Sequence, residues 1–100
     1  MNTNIIQLTN NIFSITRSEG WGYVENICEF DKEIFELIDK NYVPSQLEGG
    51  NCQVTYNFRI KQTDKPNSNI VFIKDFGDKK YISEKYIYDN SKKIIYLLRT

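Results

Sequence analysis

Few side chains in this sequence are of the types that carry out catalysis. The 100 residues include two cysteines and no histidine, so the chain offers no imidazole as a general base, proton shuttle or metal ligand. Cys28 and Cys52 form no CxxC motif, which excludes the usual zinc-finger and thioredoxin spacings. Cys52 lies on the apolar side of the strand predicted at 52–60, and Cys28 lies beside Ile27 and near Phe30. We interpret both cysteines as small buried hydrophobic residues.

The remaining candidates for chemistry are oxygen ligands near the C-terminal third. Asp75 and Asp78 flank Gly77, and Glu84 follows on the next predicted strand. Carboxylates in such a group are suitable ligands for a hard cation. Aspartates beside glycine are, however, more common as turn residues. We therefore expect no metal, no cofactor and no enzymatic activity.

The charges are divided along the chain. Residues 1–50 hold three basic and eight acidic residues, a net charge of −5, whereas residues 51–100 hold ten basic and five acidic residues, a net charge of +5. Such a division indicates a dipolar molecule and a partner of complementary charge.

The acidic residues concentrate between positions 19 and 39, next to the single tryptophan of the chain. An acidic surface with an aromatic anchor is typical of a protein interface that meets a basic partner. An ordinary solvated surface would also carry this much charge. The predicted partner-binding residues are Trp21, Tyr23, Glu25, Glu29, Glu33, Glu36 and Asp39.

The basic residues of the second half favour an alternative. Lysines interleaved with tyrosines on hairpins are typical of a surface for single-stranded nucleic acid, and the candidates are Lys79, Lys80, Lys92 and Lys93. The sequence pI of about 6.2 lacks the strong basic excess of most nucleic-acid-binding domains. We therefore rank this function second.

Secondary-structure elements must position these residues, and one strand is evident. From Cys52 to Ile60, apolar and polar residues alternate strictly, which predicts a strand with one buried face in an antiparallel sheet. Further strands are predicted at 5–8, 11–17, 70–75, 81–88 and 93–99. We expect the strand at 52–60 to form a hairpin with that at 70–75, and the last two strands to form another.

A helix is predicted from Phe30 to Tyr42. Ile34, Leu37 and Ile38 recur at helical spacing, Asp31 is a favourable N-cap, and a proline follows at position 44. Residues 23–29 fit either a strand or an earlier start of this helix, and the sequence does not decide between them. The predicted fold is a single α+β domain over 1–100, with an antiparallel sheet of about four to six strands packed on one helix in two layers.

Two segments are apolar at successive positions rather than at alternate ones, namely 70–73 and 94–98. This pattern predicts central strands covered on both faces, or strands whose outer face contacts a partner. A homodimer or structural subunit formed through these strands is a third hypothesis.

The leading hypothesis is a small binding protein that acts by covering another protein's surface. In general character the chain resembles small immunity proteins, since it is short, rich in aromatic residues and without catalytic groups; this resemblance implies an inhibitor of a bacterial toxin or nuclease. The sequence has no run of 18 apolar residues and no basic segment leading into an apolar one at its N-terminus, so we expect no membrane span, no secretory signal and a cytoplasmic location.

Overall fold

The computed structural model describes residues 5–19, 25–43 and 52–98, and all of their regular structure is β-strand. The strands are β1 (Ile5–Gln7), β2 (Ile12–Glu19), β3 (Glu25–Phe30), β4 (Phe35–Val43), β5 (Cys52–Ile60), β6 (Asn67–Asp75), β7 (Lys80–Asp89) and β8 (Ile94–Leu98). They form a five-stranded sheet in the order β1-β8-β7-β6-β3 and a three-stranded sheet in the order β2-β5-β4, with every pairing antiparallel.

The two sheets pack face to face around one aromatic core. Phe58 on β5 lies 5.2 Å from Phe30 on β3 and 5.3 Å from Phe13 on β2, measured between ring centroids. Tyr56 contacts Phe72 of the opposite sheet at 5.0 Å. Aromatic pairs at these distances and angles contribute more than their buried area alone. The molecule is therefore a β-sandwich, with no helix in the described ranges.

The predicted α+β fold with one covering helix is wrong, because the segment assigned to the helix is a turn followed by β4. Asp31 accepts hydrogen bonds from the backbone N–H of Glu33 through its side chain and from those of Ile34 and Phe35 through its carbonyl. The Asp31 side chain thus makes the local bond of an N-cap, but it closes only a single turn. Phe35 then pairs with Ile60 of β5.

A β-bulge accounts for the helical spacing of the apolar residues in β4. Leu37 pairs with Phe58 and Asp39 pairs with Asn57, so Ile38 is an extra residue without a partner on β5. Its side chain is 40% exposed. An inserted residue shifts the period-two pattern by one position, and the sequence then shows apolar residues at a spacing that also fits a helix.

The strand prediction at Cys52–Ile60 is confirmed with the same bounds. Val54, Tyr56, Phe58 and Ile60 are buried. The predicted hairpin with the strand at 70–75 is wrong, since β5 and β6 belong to different sheets. The hairpin of the last two strands, β7 and β8, is confirmed. Residues 25–30 form a strand. Of the two alternatives for residues 23–29, the strand is therefore correct and the early helix is wrong in the described part of that range.

Phe58 is the aromatic residue on which we expect stability to depend most. It is fully buried and contacts four other rings. Phe58→Ala should lower the free energy of unfolding by about 3–5 kcal/mol, since it removes buried ring contacts and leaves a cavity. The measurement is urea denaturation, with Phe76→Ala as the matched control, because Phe76 is 42% exposed. An equal loss in both variants would contradict a special role of Phe58 in the core.

Candidate functional site

The outer surface of the five-stranded sheet is unusually apolar. The register of the strands determines which side chains point outward. Cys28 and Phe72 pair on the core side, so the next pair along these strands, Ile27 and Ile73, faces outward. Val71 also faces outward, together with its cross-strand partners Glu29 and Lys85. The apolar residues of this surface, which we call the apolar face, are Ile27, Val71, Ile73, Ile82, Ile87, Ile94, Tyr96 and Leu98.

The apolar face crosses four neighbouring strands. Ile82 is 60% exposed and Leu98 is 39% exposed, and the other six members are half-buried by one another and by the sheet. No described residue of the chain packs over them as a further layer, since the two sheets meet on their opposite surfaces. A continuous apolar surface of this kind usually marks a site of protein interaction.

Two opposite charges lie on the apolar face in one row. Glu29, Val71 and Lys85 are consecutive cross-strand partners on β3, β6 and β7. Glu29 is exposed and Lys85 is half-buried. Neither side chain forms an ion pair with another described residue. Both charges are therefore available to a partner on this surface.

The outer surface of the three-stranded sheet has the opposite character. Its side chains bond to one another across the strands: Gln53 donates to Ser18 at 2.9 Å, and the hydroxyls of Thr16 and Thr55 are 3.0 Å apart. Ser14 donates to Asn57, which in turn donates to Asp39. We call this surface the polar face. Its polar groups have partners within the sheet, so it needs no other molecule to satisfy them.

A buried ionic cluster connects the two sheets near the C-terminal end of β2. Arg17 and Glu19 continue the inward side of that strand and are only 7% and 6% exposed. The Glu19 Oε2 atom accepts a hydrogen bond of 2.6 Å from the Tyr56 hydroxyl and lies 3.7 Å from Arg17 Nη1. Arg17 Nε lies 3.2 Å from Glu84 Oε1 on β7. The cluster thus spans from β2 and β5 to the opposite sheet.

A bulge in β7 shapes the far side of this cluster. Phe72 pairs with Glu84 and Ile73 pairs with Ile82, which leaves Ser83 as an extra residue. Ser83 Oγ accepts a hydrogen bond of 3.1 Å from Arg17 Nη2 and donates one of 3.1 Å to the Phe72 carbonyl. The Arg17 guanidinium carbon also lies 4.2 Å from the centroid of the Phe72 ring, a cation–π contact.

Two groups near the cluster have raised pKa values. Burial raises the pKa of the Cys28 thiol to about 12, an effect that the charges of Arg17 and Lys40 only partly oppose. The reactive form of cysteine is the thiolate, so Cys28 is not a nucleophile near neutral pH. Burial, together with the hydrogen bond to Glu19, also raises the pKa of the Tyr56 hydroxyl.

The predicted partner-binding residues whose side chains are described lie on different surfaces. Glu29 lies on the apolar face, Glu33 lies in the turn before β4, and Glu36 and Asp39 lie on the polar face. Several are already paired: Glu36 accepts a hydrogen bond of 2.9 Å from Arg59. Trp21 and Tyr23 lie outside the described residues, and only the backbone of Glu25 is described, at the start of β3.

The predicted nucleic-acid-binding lysines are also divided. Lys79 and Lys80 lie at the turn between β6 and β7, whereas Lys92 and Lys93 lie at the turn between β7 and β8. These turns are at opposite ends of β7, about 30 Å apart for a strand of this length. The four lysines therefore form two separate pairs rather than one cluster.

Two of the three carboxylates considered for a cation, Asp75 and Glu84, have other contacts. Asp75 Oδ1 accepts a hydrogen bond of 2.8 Å from the Gly77 N–H, and Gly77 has a φ of 93°, which favours glycine at this turn. Glu84 belongs to the Arg17 cluster. Among the described residues, no group of three or more potential ligands converges on a metal position.

Three surface hollows in the described part of the chain are small. Their volumes are about 190, 280 and 270 Å³, below the roughly 300–1,000 Å³ that is typical of ligand pockets. The third is a depression between Ile82 and Leu98. These three hollows are therefore smaller than a typical pocket for a small-molecule ligand.

Sequence reasoning missed the Arg17 cluster, although a signal was present. Phe13 and Ile15 point inward, and the same alternation continued to Arg17 and Glu19 places both charged side chains in the core.

Comparisons with family models, curated proteins and solved structures found no match to this chain. In the described ranges, no helix is long and apolar enough to cross a membrane.

Removal of the Arg17 cation should destabilise the protein strongly. Arg17→Met leaves the Glu19 carboxylate buried without its positive neighbour, and such a change costs about 3–5 kcal/mol in the free energy of unfolding. Urea denaturation measures this loss. Arg17→Met combined with Glu19→Gln should lose less, because the buried Glu19 carboxylate is then neutral and the remaining partner of Arg17, Glu84, is 29% exposed.

Arg59→Met is the matched control for this experiment. Arg59 and its partner Glu36 are 50% and 48% exposed, so their ion pair is screened by water and its loss should cost less than about 1 kcal/mol. Equal losses for the two arginine variants would show that the Arg17 cluster has no special role in stability.

Proposed function

We propose that this chain is a non-catalytic protein-binding module that contacts its partner through the apolar face. The observation that carries this proposal is the row of outward apolar side chains on β3, β6, β7 and β8. Burial of such side chains against a partner is favourable, at about 25 cal/mol for each Å² removed from water. An inhibitor that covers the surface of a toxin or nuclease is one protein of this type.

The charges on the apolar face define the partner's chemistry. Glu29 favours a basic group opposite β3, and Lys85 favours an acidic group opposite β7, with apolar side chains between them over Val71. Charge pairs at the margin of an apolar contact fix the orientation of the partner and exclude others. Of the acidic residues predicted from the sequence, Glu29 is the one that this contact uses.

The two cysteines are consistent with a reducing compartment. Both Cys28 and Cys52 are free thiols, as is usual for proteins of the cytosol. We propose that the module acts in the cytoplasm, where its partner would also be found.

The test of this function compares matched lysine substitutions on the two outer surfaces. Val71→Lys places a charge in the centre of the apolar face, and Thr16→Lys places the same charge on the polar face. A tagged protein is used to capture its partner from the source cell. Each captured protein is identified, purified and tested for direct binding.

We expect the partner to bind the wild type and Thr16→Lys with similar affinity and to bind Val71→Lys at least tenfold more weakly, a difference of about 1.4 kcal/mol. Unchanged melting temperatures would show that both variants are folded. A partner that is lost with Thr16→Lys and kept with Val71→Lys would place the contact on the polar face and refute the proposal.

One observation favours a second function at the tip of the β6–β7 hairpin. Phe76 and Tyr81 are 42% and 51% exposed, and their rings stack at 5.4 Å. The exposed Lys79 and Lys80 lie between these two residues in the sequence. Exposed aromatic rings beside lysines bind unpaired bases. We propose single-stranded nucleic acid as the ligand of this tip.

Binding of a labelled oligothymidine tests the second function. Tyr81→Ala should weaken binding by about 1–3 kcal/mol through loss of base stacking. Tyr42→Ala should not weaken it, since Tyr42 is an exposed tyrosine of the other sheet. Neutralising Lys92 and Lys93 should have less effect than neutralising Lys79 and Lys80. The absence of binding at low salt would refute this function.

A further inference from the structure

The apolar face has a row of side chains that is complementary to itself. We propose that the partner on this face is a second copy of the chain, related by a two-fold axis that runs parallel to β6 between the two facing sheets. This inference rests on the proposed function, because it assigns the occupant of the same surface.

The charges support this symmetry. Glu29 and Lys85 lie on the strands to either side of β6, each about 5 Å from Val71. A two-fold axis along β6 carries β3 of one copy over β7 of the other. Glu29 of each copy then faces Lys85 of its partner, and the two Val71 side chains meet between these ion pairs.

The alternative symmetry is unfavourable for the same reason. A two-fold axis perpendicular to the strands, placed over the Glu29–Val71–Lys85 row, would carry each strand and each residue of the row over its own copy. Glu29 would then face Glu29, and Lys85 would face Lys85, and such like-charge contacts disfavour association. The row Glu29–Val71–Lys85 therefore selects one of the two simple ways in which the sheets can pack face to face.

The same two-fold operation brings apolar residues together in the neighbouring row. Ile27, Ile73 and Ile82 are consecutive partners on β3, β6 and β7. An axis along β6 places Ile27 of one copy over Ile82 of the other. Ile82 is the most exposed large hydrophobic residue of the described chain, at 60%, and the dimer removes it from water.

The axis along β6 sets the size of the contact. It places β3, β6 and β7 of one copy over β7, β6 and β3 of the other, and the apolar residues of β8 lie beside this overlap. Three strands about 4.8 Å apart, along the nine residues of β6, cover roughly 15 by 30 Å, which is smaller than the about 800 Å² of accessible surface that each partner loses in a standard protein interface. Symmetric homodimers are the most common oligomers of soluble proteins.

The test is a charge swap followed by molar mass in solution. Sedimentation equilibrium of the wild type over a range of concentrations should give twice the chain mass of 11.8 kDa. Glu29→Lys alone and Lys85→Glu alone should each weaken the dimer about tenfold, because each creates two like-charge contacts. The double variant should recover the wild-type affinity, since it exchanges the two ends of each ion pair.

Glu33→Lys is the control, since Glu33 is an exposed acidic residue in a turn outside the apolar face. It should leave the dimer unchanged. A wild type that is monomeric at its highest soluble concentration would overturn the inference, and so would a dimer that the double variant does not restore. If the wild type is a monomer but Val71→Lys still weakens the binding of another protein, the proposed function stands. Only the assignment of a second copy as the partner is then overturned.

Discussion

The alternation of β5 is the constraint on which the rest of the structure depends. This strand is the centre of the three-stranded sheet, and its inward side chains fill the space between the two sheets. Because successive side chains of a strand point to opposite sides, a shift of one residue would expose Phe58 and bury Arg59. The register of β2 and β4 follows from that of β5, and the facing strands β3 and β6 pack against the same rings.

The sequence predicted β5 well and β4 poorly for one physical reason. β5 has no bulge, so its period-two pattern is continuous from Cys52 to Ile60. β4 contains the extra residue Ile38, which changes the spacing of its apolar residues to one that a helix also shows. The Asp31 turn strengthened that interpretation, since an Asx turn and a helix N-cap begin with the same hydrogen bond. Pairing with β5, which is distant in sequence, decides the outcome.

The candidate site was predictable only in its apolar part. Segments 70–73 and 94–98 are apolar on both sides, and the structure places them in β6 and β8, which have a neighbour on each edge. The position of charges depended on pairings that the sequence did not reveal. Glu29 and Glu36 are close in sequence, yet they lie on outer surfaces of opposite sheets because the chain crosses the sandwich between them. Arg17 was likewise unexpected in the core, since arginine is rarely buried without a paired charge.

The path of the chain between the sheets also determines the order in which the molecule can form. The first four strands alternate between the five-stranded and three-stranded sheets, and no two consecutive strands pair until β4 meets β5. β2 pairs with β5, and β1 pairs only with β8, where Ile5 lies opposite Tyr96. During synthesis the N-terminal third of the described chain therefore has no partner strand and must stay unpaired until later segments leave the ribosome. Such distant pairing slows folding, and it makes the nascent chain a natural client for chaperones that shield unpaired strands.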